Sequence, residues 1–182
     1  MKKLIFLLII FFSIACSLLS HAQSDLIEGD LLKRFLAGSE KITTREIKLT
    51  EDKRQAIEER FGRRVREFRY TFYIGKSKGN IDAYCFVVSE QGKHGPISFS
   101  IVITPSGEIR DLAVIKSMEV KGAKIGKKRF LRQFIGKSLN DPLRLKKDID
   151  AVTGATISSK AATWAAKKAL VIWGELKKDL LE

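Results

Sequence analysis

The spacing of apolar residues predicts two helices in the first third of the chain. From Asp25 to Leu36 apolar side chains recur every three or four positions, and Gly38 follows as a helix end. A second helix is predicted between Thr50, a capping residue that precedes two acids, and Gly62. The N-terminal part of the sequence is therefore expected to be helical.

The period then shortens to two, which indicates β-strands. Turn sequences separate the apolar stretches, among them Lys78-Gly79-Asn80 and Pro105-Ser106-Gly107. The pattern predicts four strands, at residues 68–74, 83–88, 97–103 and 109–115. Because short turns join these strands in sequence, they are expected to form an antiparallel meander.

Helical spacing returns after the predicted sheet. Residues 130–135 form the stripe of a short helix that ends at Gly136, and an Ala-rich stretch beginning near Ser158 predicts a long final helix. Strands grouped together, with helices before and after them, favour an α+β domain. We expect an antiparallel-rich sheet packed by helices, with the long helix at the C-terminus.

The first 22 residues have the pattern of a secretory signal. Lys2 and Lys3 precede an apolar run, and Ser20-His21-Ala22 places small residues where a signal peptidase cleaves. The apolar run is short for a membrane span, which needs about 20 residues. An exported protein is therefore expected, periplasmic or otherwise extracytoplasmic. A lipoprotein anchored through Cys16, or a retained anchor, is the less favoured alternative.

This pattern divides the chain into three parts. We assign residues 1–22 to a signal peptide, 23–65 to an N-terminal helical segment of the mature domain, and 66–182 to the main domain. The length of 182 residues suits one domain.

Composition narrows the classes of function. With 45% hydrophobic residues the chain is not expected to be disordered. The predicted mature chain has one cysteine, Cys85, and one histidine, His94, so neither a disulfide framework nor a Cys/His metal site is expected. Cys85 is interpreted as a small buried residue of a strand. Trp164 and Trp173 fit core packing on the last helix, although stacking on a cofactor is an alternative.

The chain is strongly basic. Its formal net charge is +13, and removal of the signal would take away two lysines and no acid. Such a charge favours anionic partners, but the sequence shows no aromatic ladder for single-stranded nucleic acid, so nucleic-acid binding is not expected. Five lysines form a candidate docking patch, for which a merely solvated surface is the alternative: Lys116, Lys121, Lys124, Lys127 and Lys128.

One segment, residues 148–159, is typical of a ligand-binding loop. It is rich in hydroxyls, contains Gly154 and Ala155, and leads directly into the predicted long helix. The first amides of a helix lack internal acceptors and lie at the positive end of its dipole, so the segment suits a phosphate at Thr156, with Lys160 nearby. Ordinary capping of the helix by Thr or Ser explains the same residues without a ligand.

The heptapeptide Asp150-Ala151-Val152-Thr153-Gly154-Ala155-Thr156 resembles the flavinylation motif of the exported FMN-binding domain family. That family includes flavoprotein subunits of Rnf and sodium-pumping NADH:quinone reductase complexes. The resemblance extends over roughly Tyr70 to Leu170. It includes Gly92-Lys93-His94-Gly95-Pro96-Ile97, Glu119-Val120-Lys121-Gly122 and residues 129–137. The sequence departs from the family at residues 119–126, where better-studied members have Glu-Thr-Pro-Gly-Leu-Gly.

The resemblance implies a covalent cofactor. Thr156 Oγ1 would carry FMN through a phosphoester installed from FAD by a magnesium-dependent flavin transferase, which would recognise Asp150 and Thr153. The further cofactor-binding residues that it implies are Gly154, Ala155, Ser158, Ser159, Glu119, Gly122, Lys93, Pro96 and Ile97.

The expected function is extracytoplasmic electron transfer. A covalent bond removes the dissociation rate that would otherwise lose FMN outside the cytoplasm. Membrane-associated redox partners are expected, and no catalytic residues or metal ligands, so the protein is interpreted as a redox carrier rather than a stand-alone enzyme. The alternatives are a flavin-sensing regulatory module and a flavin-free basic domain that docks on a membrane surface.

Overall fold

The computed structural model describes residues 33–118 and 124–181. The predicted signal peptide with Cys16, most of the first predicted helix, and Glu119, Lys121 and Gly122 lie outside the described residues. Residues from Phe35 onward form one compact unit, and all contacts given below lie within it.

The sheet has five antiparallel strands in the order of the sequence, so each strand pairs with its neighbours along the chain. This is the predicted meander, extended by one strand at its N-terminal edge. The strands are β1 (Lys41–Lys48), β2 (Arg69–Ser77), β3 (Asn80–Gln91), β4 (Pro96–Ile103) and β5 (Ile109–Lys116).

Among the described residues from 41 onward, three helices accompany the sheet. Helix α1 (Glu51–Phe61) begins after Thr50, whose hydroxyl accepts the Lys53 N–H, and ends at Gly62, as predicted. Helix α2 (Lys128–Leu131) continues as a 3₁₀ turn, Arg132–Phe134. Helix α3 (Thr156–Leu181) is the long C-terminal helix, and it begins two residues earlier than its sequence pattern predicts. The α+β class is confirmed.

The core lies between α3 and one face of the sheet. Phe86 and Phe99, from the two central strands, are fully buried there. Small side chains on α3, such as Ala162 and Ala169, are also fully buried, which allows the helix backbone to approach the strands closely. Trp173 belongs to this core, and Trp164 packs against it while partly exposed.

Strand β1 lies in the segment for which only helices were predicted. Of its eight residues only Ile47 is buried, because β1 is the edge strand of the sheet. Its remaining residues are mainly charged or hydroxylated, so no apolar alternation marks it in the sequence. Edge position therefore explains why the periodicity failed to reveal this strand.

From its midpoint onward, α3 forms ion pairs with α1, with the segment after α1 and with β3. Lys168 is 4% exposed, and its Nζ lies 2.5 Å from Glu67 Oε1 and 3.6 Å from Glu90 Oε1. Further along the helix, Glu175 pairs with Arg60 and Asp179 with Lys53, each at 2.5 Å. These contacts fix α3 against α1 and the sheet.

Two further findings bear on the sequence predictions. Cys85 is fully buried, as predicted, and burial raises the pKa of its thiol to about 11, although a contact with the Ser100 hydroxyl lowers it slightly. Within residues 33–118 and 124–181, no helix combines the length and apolar character that crossing a bilayer requires.

Candidate functional site

Thr156 is the first residue of α3. The helix's hydrogen bonding begins at the Ala155 carbonyl, which accepts the Ser159 N–H at 2.8 Å. The amides at the start of such a helix have no intrahelical acceptor, and the helix dipole places positive potential there. Helix α3 is 26 residues long, and it therefore places the positive end of its dipole beside the exposed side chain of Thr156.

The hydroxyl that stabilises this helix start belongs to Ser159. Its Oγ accepts the Val152 N–H at 3.0 Å and donates to the Ala155 carbonyl at 2.9 Å, so it ties the preceding loop to the first turn. Thr156 Oγ1 makes no hydrogen bond to any part of the chain that the structure describes. The Ser159 hydroxyl therefore joins the loop to the helix, whereas the Thr156 hydroxyl has no comparable contact with the described residues.

Two small residues, Gly154 and Ala155, precede Thr156, and each is explained by its backbone conformation or its burial. Gly154 has φ of 76°, in the left-handed region that favours glycine. Ala155 is 6% exposed and belongs to the core cluster, so it anchors the loop while leaving little bulk near the neighbouring hydroxyl. The Gly-Ala pair thus turns the chain and then fixes it.

Gln133 holds Asp150 through the backbone. Its Oε1 accepts the Asp150 N–H at 2.7 Å, and its Nε2 donates to the Asp150 carbonyl at 3.3 Å. The side-chain amide of Gln133 thereby binds both the N–H and the carbonyl of Asp150, as the backbone of a neighbouring β-strand does. The Asp150 carboxylate stays exposed.

A second clamp organises the chain that leads into the loop. Asp148 accepts the N–H groups of Leu143 and Arg144, at 3.1 and 2.8 Å, and pairs with Lys137 at 3.2 Å. Burial alone would raise the pKa of Asp148, but these bonds outweigh it and hold that pKa below its usual value. The pKa of Asp141 is lowered too, by the Ser138 N–H and then by Lys137, whose own pKa the two acids raise.

A cavity of about 550 Å³ opens beside this loop. Residues 124–133 and 150–153 form its walls, and its charged residues are three cations and one acid. It is lined by Lys124, Lys127, Arg129, Phe130, Gln133, Asp150, Ala151, Val152 and Thr153. Its volume lies within the range of small-molecule and cofactor sites. Thr156 follows three residues after Thr153, at the start of the helix.

The structure distributes the sequence-predicted residues unevenly. Asp150 and Thr153 line the cavity, and Gly154 and Thr156 are exposed close by along the chain. Two others, Ser158 and Ser159, are buried in the first turn of α3.

The β3–β4 hairpin stands apart from this cavity. Ile97 is fully buried in the core and Lys93 is exposed, and neither lines the cavity. Pro96 lines a different cavity, of about 390 Å³, together with Lys168. A third cavity, of about 270 Å³, brings Gln91 at the end of β3 together with Ile157 and Lys160 in the first turns of α3. The base of the hairpin therefore lies near the start of α3, although Lys93, Pro96 and Ile97 do not line the cavity beside Asp150.

Sequence reasoning missed Gln133, Arg129 and Phe130 as site residues. Each lines the cavity, and Gln133 also positions Asp150. A lone glutamine among basic residues carries no pattern that distinguishes it from a solvated side chain. Its role depends on a partner 17 residues away, which periodicity does not reveal.

Fold and site together define a class of protein: a small domain that presents a free hydroxyl at a helix start beside a cavity of cofactor size. The FMN-binding domain family matches residues 92–171, a range that contains the cavity, the loop and the first half of α3. This match confirms the resemblance found in the sequence.

Two curated relatives share this region. One is the G component of the proton-translocating ferredoxin:NAD(+) oxidoreductase complex of Clostridium ljungdahlii, 33% identical over 107 residues, which are 54% of this chain and 57% of the relative. The other is the G component of the Na(+)-translocating ferredoxin:NAD(+) oxidoreductase complex of Acetobacterium woodii, 32% identical over 118 residues, or 58% and 56%. The chain thus matches little more than half the length of each.

Two solved structures share the fold. Shewanella oneidensis NqrC has a TM-score of 0.59 at 15% identity, with 82% of this chain and 87% of that chain covered. The C component of the Na(+)-translocating NADH-quinone reductase of Parabacteroides distasonis has a TM-score of 0.52 at 16% identity, with 73% and 76% covered. At this identity the likeness concerns the fold alone.

Proposed function

We propose that the protein is an extracytoplasmic electron carrier that holds FMN covalently through a phosphoester on Thr156. One observation carries the proposal: Thr156 Oγ1 is exposed at the first residue of α3 and makes no hydrogen bond to the described chain. A hydroxyl at the positive end of a long helix suits a phosphate. It also follows the Asp150-to-Ala155 sequence that resembles the flavinylation motif.

The residues around the site fit FMN. The helix start and Lys160 would face the phosphate, and the ribityl chain separates phosphate from ring, so the ring is free to occupy the cavity lined by Thr153 and Phe130. Lys124, Lys127 and Arg129 would place positive charge beside it. The flavin supplies one- and two-electron chemistry, while the protein orients it and tunes its electrostatics.

Attachment requires a nucleophilic substitution at phosphorus. Thr156 Oγ1 would form a bond to the FMN-side phosphorus of FAD as the anhydride bond to AMP breaks, so AMP leaves and the threonine proton passes to a base. The proposed catalyst is a magnesium-dependent flavin transferase that recognises the exposed Asp150 and Thr153. The Gln133 clamp would present Asp150 to it in one backbone conformation.

Intact mass spectrometry after co-expression with a flavin transferase tests the attachment. We expect one FMN adduct on the wild type, and flavin fluorescence that survives denaturation. Thr156→Val keeps the side-chain shape and should abolish the adduct, whereas Thr156→Ser keeps the hydroxyl and should retain it. Thr44→Val, at an exposed threonine of the edge strand β1, is the matched control, because it leaves Thr156 and the residues of the motif in place. An adduct that persists in Thr156→Val would overturn the assignment.

Location and redox role need separate tests. The N-terminus of protein from its own cells should be Gln23, and the protein should appear in the extracytoplasmic fraction. Electron transfer is supported if a membrane dehydrogenase reduces the bound flavin and a downstream acceptor reoxidises it at turnover rates. Reduction that changes partner binding without electron relay would instead favour the sensing module.

A further inference from the structure

Residues 124–132, here called the cationic segment, carry an unusual concentration of positive charge. The segment contains no acid. Its five basic side chains are all exposed, and none pairs with a carboxylate in the part of the chain that the structure describes: Lys124, Lys127, Lys128, Arg129 and Arg132.

The segment is held firmly at one edge of the sheet. Phe130 is 4% exposed, and both Leu131 and Phe134 are buried in the core. Just after it, the Gly136 N–H donates to the Ile109 carbonyl and the Ile109 N–H donates to the Lys137 carbonyl, both at 2.8 Å, which joins the chain to β5. The charges are therefore displayed from an ordered backbone.

The cofactor does not explain all five charges. Three of them line the cavity, where a flavin phosphate and ring would be near. Lys128 and Arg132 do not line it, yet they are exposed beside the three that do. Like charges this close repel one another, and the repulsion is relieved when an anionic surface approaches.

We propose that the cationic segment is the docking surface for a protein partner with an acidic surface, which exchanges electrons with the bound flavin. The inference rests on the proposed function, because it requires a flavin in the adjacent cavity. A partner that docks here meets the cavity directly. Positive charge at that position would accelerate its association through long-range attraction.

A protein partner fits this surface better than a bilayer. Surface helices that bind bilayers insert apolar side chains between the headgroups. Within the cationic segment, Ile125, Phe130 and Leu131 are instead buried in the core. Ile135 is 44% exposed in the next turn, so anionic lipid is included as an outcome of the test.

The first experiment measures the local field with small redox probes. Flavin-loaded protein is reduced with dithionite, the excess is removed, and reoxidation is followed by stopped flow. Two ferricyanide ions accept the two electrons of each reduced flavin, and two protons pass to the buffer. The double variant Lys128→Gln/Arg132→Gln leaves the cavity lining intact. At 20 mM salt it should slow reoxidation of the flavin by ferricyanide about 3- to 10-fold and accelerate reoxidation by the cation hexaammineruthenium(III).

A matched control uses the opposite edge of the sheet. Lys41→Gln/Lys48→Gln removes two exposed lysines of β1 and should change both rates less than about 1.5-fold. At 0.5 M salt the differences should vanish, since screening is then effective within a few ångströms. Equal effects of the two double variants, or no effect of either, would overturn the proposal.

The second experiment separates docking from flavin loading. Binding of fluorescein-labelled deca-glutamate is measured by anisotropy on flavin-free protein, and Lys128→Gln/Arg132→Gln should weaken it at least 3-fold relative to the β1 control. If intact mass shows no flavin, the proposed function fails while this measurement still reports on the surface. If the variant loses only co-sedimentation with vesicles of 30% phosphatidylglycerol in phosphatidylcholine, the surface binds lipid and the protein-partner proposal is wrong.

Discussion

The two ends of α3 use charge in opposite ways. From its midpoint to its C-terminal end, Lys168, Glu175 and Asp179 each contact an opposite charge at 2.5 Å. Near its N-terminal end, the cationic segment lies beside the cavity with no carboxylate paired to it among the described residues. Paired charges fix the helix to the fold, whereas unpaired charges keep positive potential available to anions. The C-terminal part of α3 is thus held by ion pairs, whereas its N-terminal end follows the loop that lines the cavity.

The largest expected effect is in the paired half. Lys168→Met removes the cation that Glu67 and Glu90 share. Glu90, whose side chain is only 9% exposed, then keeps only Arg63, at 2.9 Å. Loss of one member of a buried ion pair costs about 3 kcal/mol, so we expect that decrease in the free energy of unfolding by urea titration. Lys167→Met is the control: the Lys167 ammonium lies 5.6 Å from the Trp164 ring centroid, a contact worth at most about 1 kcal/mol. Equal losses would mean that the ion pairs do not stabilise this half.

A smaller effect is expected at the clamp beside the cavity. Gln133→Ala removes both hydrogen bonds to Asp150, and because Gln133 is half-buried, water replaces them in part. A cost of about 1 kcal/mol follows, seen as roughly fivefold faster hydrogen exchange at the Asp150 amide. The yield of flavin adduct should fall as well. Gln55→Ala removes a side-chain contact on exposed α1 and should leave both measurements unchanged.

The sequence predicts best those strands and helices that bury many side chains. Apolar residues of β2, β3 and β4 are buried in the core, so the alternation along β2 and β4 and the continuous apolar run of β3 indicated these strands. The small and apolar face of α3 did the same for the helix. Strand β1 was not predicted, because this edge strand buries only one residue, Ile47. Periodicity thus reports burial, and it is weak where an element buries little.

The site was predictable in a different way. Thr156 and its neighbours are contiguous in sequence, so a local motif identified them. Gln133 and Arg129 reach the cavity only through folding, and their residue types do not set them apart from other polar side chains. The Ser159 hydroxyl was grouped with the cofactor residues, whereas the structure gives it hydrogen bonds to Val152 and Ala155. Contacts between distant residues require the fold before they can be recognised.

The loop itself offers a test of similar size. At Gly154 an added methyl group meets no atom within 4 Å, so the cost of Gly154→Ala comes from φ of 76° alone. We expect a loss of about 1 kcal/mol in thermal or urea unfolding, with the helix start preserved. Gly38→Ala, also free of close contacts but with no positive φ, should be neutral or slightly stabilising. Similar losses in the two variants would show that the Gly154 conformation carries no strain.

The smallest expected effect is on pH dependence, at the Asp148 clamp. A carboxyl whose pKa is lowered by folding stabilises the native state above its ordinary pKa, and this contribution is lost as the pH falls through the lowered value. For Asp148 the loss therefore lies below pH 3.8, while the raised pKa of Lys137 gives a second loss only above 10.5. Near neutral pH the clamp is unaffected.

Backbone amide NMR shifts provide the measurement for this last prediction. The Arg144 N–H donates to Asp148 Oδ1 at 2.8 Å, so its shift should titrate with a midpoint below 3.8. Asp148→Asn should remove that titration and leave the Asp150 amide, held by Gln133, in place. A midpoint at or above 3.8 would mean that the carboxylate is not preferentially bound in the native loop. Charge pairing would then organise the C-terminal part of α3 but not the loop that leads to Thr156.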